Sequence, residues 1–128
     1  MTIKEFYAQI GEDDQDVVKR LGSEALIRRL ILKFPQDETF AALQEALEQQ
    51  NTETAFRAAH TLKGVAVNLG FTRLYHAAAA LTEVLRAAKL AEAAPLLAET
   101  ETAYRKIINA ISALTSDPQY YSQSQQNR

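Results

Sequence analysis

The chain reads as all-α. Only four glycines and three prolines interrupt its 128 residues, while alanine, leucine and glutamate are abundant. Apolar residues recur at three- and four-residue spacing through several long stretches. The alternation of β-branched and aromatic residues that marks strands is missing. Short connections between long periodic stretches predict antiparallel neighbours. The expected architecture is therefore an up-down four-helix bundle with short additional N-terminal helices and a flexible C-terminal tail. The bundle is expected over residues 1–115, and a polar, disordered tail rich in Gln, Ser and Tyr over 116–128.

Local signals place each element. Thr2, with Glu5 three residues on, predicts a capped helix over Ile3 to Ile10 that Gly11 ends. Asp13 or Asp14 opens a short segment through Val17, Val18 and Leu21, broken at Gly22. Ser23 caps the next helix, with Leu26, Ile27, Leu30, Ile31 and Phe34 as its apolar stripe. Pro35 marks a break or a kink. Asp37 or Thr39 starts a helix carrying Phe40, Leu43, Ala46 and Leu47. Asn51 or Thr52 caps a central helix from about Glu53 to Leu69, and Gly70 suits a left-handed closing position. A partner helix follows from Phe71 to about Lys89, with Leu74, Ala78, Leu81 and Leu85 on one stripe. The last helix spans roughly Glu92 to Thr115, with Pro95 tolerated in its first turn.

The totals exclude several classes. A net charge of −2 argues against nucleic-acid binding through a broad basic surface. The absence of cysteine removes disulfides and thiol catalysis. No leader-like N-terminal stretch and no run of about 18 apolar residues is visible, so a cytoplasmic protein with no membrane span is expected. No Gly-rich nucleotide loop is present, so the chain is not expected to phosphorylate itself from ATP. The acidic residues Glu12, Asp13, Asp14 and Asp16 read as helix-start and surface charges, and His76 as a plain surface residue.

His60 carries the most information. With His60 at zero and about 100° per residue, Ala55, Ala58, Leu62, Val65 and Leu69 fall more than about 130° away and form the expected core stripe. Phe56, Lys63, Gly64 and Val67 fall within about 60° of His60. One solvent-facing side thus carries an imidazole, a cation, bare backbone and two apolar groups, which reads as a docking surface. A mid-helix glycine costs roughly 1 kcal/mol against alanine, so the bare patch asks for a reason. Reversible phosphorylation of His60 supplies one. A free imidazole has a pKa of about 6.5 and is nucleophilic near neutrality. Lys63 would stabilise charge on the transferring phosphoryl group, and Gly64 would clear space for its approach.

The run Ala59-His60-Thr61-Leu62-Lys63-Gly64-Val65-Ala66-Val67-Asn68-Leu69-Gly70, followed by Leu74, resembles the histidine-containing phosphotransfer (HPt) domain of multistep phosphorelays. The resemblance spans roughly residues 10 to 112. It implies a four-helix bundle whose exposed His60, at Nε2, exchanges a phosphoryl group with receiver-domain aspartates. Lys63 would be the electrostatic helper and Gly64 the clearance residue. It implies receiver domains of response regulators and a hybrid histidine kinase as partners, and magnesium held by the receiver rather than by this chain. Val67 stands where such domains often carry a smaller residue. A monomer is expected from the single docking face. Histidine-kinase dimerisation helices place an acidic residue directly after their histidine and a proline soon after; here Thr61 follows His60 and the next proline is Pro95. The alternatives are a non-catalytic helical adaptor that binds a partner through the Phe56–Val67 face, and a chemotaxis-kinase phosphoacceptor domain.

Overall fold

The computed structural model describes residues 1–116. Expectations for the tail beyond Ser116 lie outside the described residues. Among these, seven α-helices and two 3-10 turns form and no strand does. The helices are α1 (Ile3–Gln9), α2 (Gln15–Leu21), α3 (Glu24–Lys33), α4 (Thr39–Glu48), α5 (Thr52–Asn68), α6 (Thr72–Arg86) and α7 (Ala93–Thr115).

The caps explain most boundaries. Thr2, Ser23 and Asn51 accept hydrogen bonds from the backbone N–H groups of Glu5, Leu26 and Thr54, at 3.0, 3.2 and 3.2 Å. Each satisfies a donor that a helix start leaves orphaned. Before α4, Asp37 accepts from Thr39 N–H at 2.8 Å without being the residue directly before the helix. Pro35 ends α3 rather than kinking it, because Phe34–Gln36 tightens into a 3-10 turn. α6 stops at Arg86, short of the expected Lys89: Ala88 turns left-handed (φ 58°), and Lys89 N–H closes onto Val84 O at 3.0 Å.

α5 and α6 pack along each other, as do α4 with α5 and α6 with α7. The rings of Phe40 in α4 and Tyr104 in α7 stack at 4.2 Å between centroids, which joins the two outer members of that set. α1 and α3 lie against α7. A run of aromatic contacts ties these layers together. Phe6 meets Tyr7 edge-on at 5.2 Å, Phe34 meets Phe71 edge-on at 5.2 Å, and Phe34 reaches Tyr104 at 5.6 Å. Edge and offset geometries of this kind add to the area that the rings bury. The two buried threonines, Thr82 and Thr100, donate to the carbonyls of Ala78 and Leu96 one turn back, so neither hydroxyl is orphaned.

The connection from α5 to α6 turns the chain within three residues. Gly70 has φ +72°, a conformation that costs L-residues roughly 1–2 kcal/mol. Gly70 N–H donates to Val67 O at 3.2 Å and Phe71 N–H to Ala66 O at 2.9 Å, the two bonds of a glycine-closed helix end. A Cβ on Gly70 would also stand 3.3 Å from the Cβ of Val17.

The N-terminal helices grip this turn. Tyr7 O–H donates to Leu69 O at 2.6 Å within the core. Glu12 accepts from Thr72 N–H, at the start of α6, at 2.9 Å. Its side chain is only 7% exposed, with Arg73 3.9 Å away. Glu12 is therefore no surface charge, contrary to expectation. It supplies the negative group that the positive end of α6 favours.

Burial raises the pKa of the Tyr7 hydroxyl well above its ordinary value near 10, with Asp14 and Glu12 adding to the rise and Arg20 opposing it. The raised folded-state pKa means that this stabilisation is complete below pH 10 and is lost as pH climbs from there. Tyr7→Phe is expected to cost about 1–2 kcal/mol at pH 7, because Leu69 O loses its partner. The cost should shrink above pH 10. Urea unfolding of both proteins across that range checks both points; equal stability at pH 7 would remove Tyr7 from the account of the turn.

Candidate functional site

α5 carries all five residues singled out on the His60 face. Its core side is Ala55, Ala59, Leu62, Ala66 and Leu69, all buried. Ala58 and Val65, expected in the core stripe, are only half-buried. The buried side is thus turned about 40° from expectation, toward Phe56 and Lys63 and away from Gly64. The cause is the placement of α4 and α6, which flank α5 and set which side it buries.

That rotation corrects the reading of Phe56. It is half-buried and packs against the core cluster rather than standing free. Its ring lies 6.2 Å from the His60 ring with the planes 19° apart, and the guanidinium of Arg86, from α6, sits 5.0 Å over it. A cation over an aromatic face is attracted by the ring quadrupole. Arg86 thereby joins the surroundings of His60 from another helix. No local pattern in the sequence announces it.

His60 itself is exposed, and its ring nitrogens take no hydrogen bond among the described residues. Lys63, one turn on, is half-buried, and its ammonium forms no ion pair among the described residues. A lysine in that setting covers apolar surface with its stem and keeps its charge in water. Gly64 is exposed and helical, and a Cβ placed on it would meet nothing within 4 Å. Neither a turn nor close packing requires glycine there. Val67 is 50% exposed.

Beyond Gly64 the surface continues onto α2. Gly64, Val65, Val67 and Asn68 line a shallow cleft together with Asp16 and Arg20. Arg20 Nη2 donates to the carbonyls of Val67 at 3.2 Å and Asn68 at 3.1 Å, and its Nε donates to Asp16 at 2.8 Å. A cation there complements the negative end of α5. Asp16, expected to be a surface charge, is exposed. His76 is exposed on α6 with its ring 5.2 Å from that of Tyr75. Among the described residues no group of three or more His, Cys, Asp or Glu side chains is placed to hold a metal ion. No helix among them is long and apolar enough to cross a membrane.

Compared with known families, residues 36–116 match the family described as "Hpt domain". The chain belongs to that family. Its members are histidine phosphotransfer carriers of phosphorelays; they work with receiver domains and histidine kinases and are not autokinases. The match begins later than the expected residue 10, so α1–α3 precede it. Comparison with curated proteins and with solved structures gives no match.

The open space around Gly64 yields a direct test. Gly64→Ala is expected to raise stability by up to about 1 kcal/mol, the ordinary gain of alanine over glycine inside a helix. Chemical denaturation measures it, and a loss of stability would reveal a packing role for the bare backbone.

Proposed function

We propose that this chain is the histidine phosphotransfer component of a multistep two-component phosphorelay, with His60 as phosphoacceptor. One observation carries the reading. An exposed imidazole whose nitrogens are unbonded among the described residues shares a helix face with an ammonium unpaired among them and with a glycine that needs no turn or close packing, inside the stretch that matches the Hpt family.

The chemistry is an in-line exchange. The lone pair of a neutral His60 ring nitrogen, Nε2 in this reading, attacks the phosphorus of a receiver's aspartyl phosphate. The P–N bond forms as the P–O bond to the aspartate breaks, and the carboxylate leaves with the electron pair. The proton on the other ring nitrogen faces water. Charge spreads over the three equatorial phosphoryl oxygens in the transition state, where Lys63 is placed to stabilise it. Gly64 leaves room for the receiver's edge, while Phe56 and Val67 offer apolar contact that helps exclude water. The reverse reaction passes the group to the next receiver. In this reading α4–α7 form an up-down four-helix bundle. The protein acts in the cytoplasm as a monomer, since its docking surface is the single His60 face.

Incubation with a phosphorylated receiver domain and magnesium is expected to place an acid-labile, base-stable phosphate on the parent protein and none on His60→Gln. Binding without label on either would point to the adaptor instead. Lys63→Ala is expected to slow transfer at saturating receiver at least about tenfold, with little change in the receiver concentration needed for half-saturation. Rapid-quench kinetics on both proteins decides this. Equal transfer rates would remove Lys63 from the chemistry.

A further inference from the structure

We propose that Arg20 is a partner-selecting cation, held ready to take a carboxylate from the docking receiver. The inference rests on the phosphotransfer reading and adds to it a specificity residue outside the stretch that matches the family.

Three features of Arg20 set it apart from an ordinary surface arginine. First, it is preorganised. Nη2 is fixed by the Val67 and Asn68 carbonyls, so a partner need not freeze a free side chain, while Nε is taken up by the exposed Asp16. Second, it retains donors. Nη1 takes no hydrogen bond among the described residues, and the side chain is 37% exposed. A guanidinium with open N–H groups suits a carboxylate better than a neutral acceptor. Third, it is in the right place. Val67 lies seven residues beyond His60, which is about 10 Å along the helix at 1.5 Å per residue. A protein footprint of about 800 Å² centred on His60 extends beyond that distance. A receiver seated over His60 therefore covers the cleft that Arg20 lines with Gly64 and Val67.

Charge decides what should meet it. Along this edge Lys63 and Arg20 bracket the exposed Val67, and among the described residues Asp16 is the one acidic side chain lining the cleft. The fitting partner presents an apolar contact to Val67 and an Asp or Glu to Arg20. Asp16 competes for the same guanidinium and repels an incoming carboxylate, so it weakens docking. Val18, the other exposed large apolar residue among the described residues, stands on the opposite flank of α2 from Arg20 and plays no part.

The test uses the full chain. His60 is phosphorylated with phosphoramidate, a small donor that needs no partner. Transfer to a panel of purified receiver domains with magnesium is then followed against receiver concentration and salt. Arg20→Gln should raise the half-saturating concentration roughly fivefold for the receivers that respond, flatten the salt dependence, and leave the saturated rate within about twofold. Arg20→Lys should fall between. Asp16→Asn keeps the bonds of Arg20 to α5 and should lower the half-saturating concentration. An unchanged half-saturating concentration in Arg20→Gln overturns the proposal. So does a fall confined to the saturated rate, which would make Arg20 a support for α5 alone. Asp16→Asn that docks no better overturns it even if Arg20→Gln fails to fold. A parent protein that takes no label, or passes it to no receiver, removes the phosphotransfer reading itself. A parent that transfers normally while both variants match it removes only the role of Arg20.

Discussion

The end of α5 at Leu69–Gly70–Phe71 is the constraint on which the rest depends. Two bonds and a left-handed glycine close the helix there. Three side chains from the N-terminal segment then fix the closed end: Tyr7 on Leu69 O, Arg20 on the Val67 and Asn68 carbonyls, and Glu12, from the α1–α2 connection, on Thr72 N–H. Val17 fills the space that a side chain at position 70 would need. Where α5 stops and how α6 leaves it determine which side of α5 is buried. That in turn determines which side His60 presents.

The consequence at the surface is a division of labour along a single helix. The small residues Ala55, Ala59 and Ala66 allow close approach of α4 and α6 on the core side. The opposite side is left to His60, Lys63, Gly64 and Val67, with Phe56 bridging the two. Phe56 gives part of its ring to the core, stacks near His60 and lies under Arg86. It anchors the face as well as decorating it.

Much of this was legible in residue order because the signals are local. The caps at Thr2, Ser23 and Asn51, the glycine at 70 and the apolar period of α5 are each written within four or five residues. The grouping of His60, Lys63 and Gly64 follows from helical spacing alone. What stayed hidden is non-local. The bonds of Tyr7, Glu12 and Arg20 span 62, 60 and 47–48 residues, and no periodic pattern encodes them. The half-burial of Phe56 was missed for a related reason. A helical wheel ranks residues around one helix but cannot tell how far neighbouring helices turn it.

The grip of α1–α3 on the α5–α6 turn separates two things that sequence comparison treats as one. Residues 36–116 are the unit of kinship. The bonds that close the α5–α6 turn reach beyond them, to Tyr7, Glu12 and Arg20. A chain cut at that boundary would expose the underside of Phe71 and strip Leu69 O and Thr72 N–H of their partners. It would also leave the negative end of the His60 helix without its counter-charge. A graft of residues 36–116 alone, by recombination in nature or by design, would leave these contacts behind.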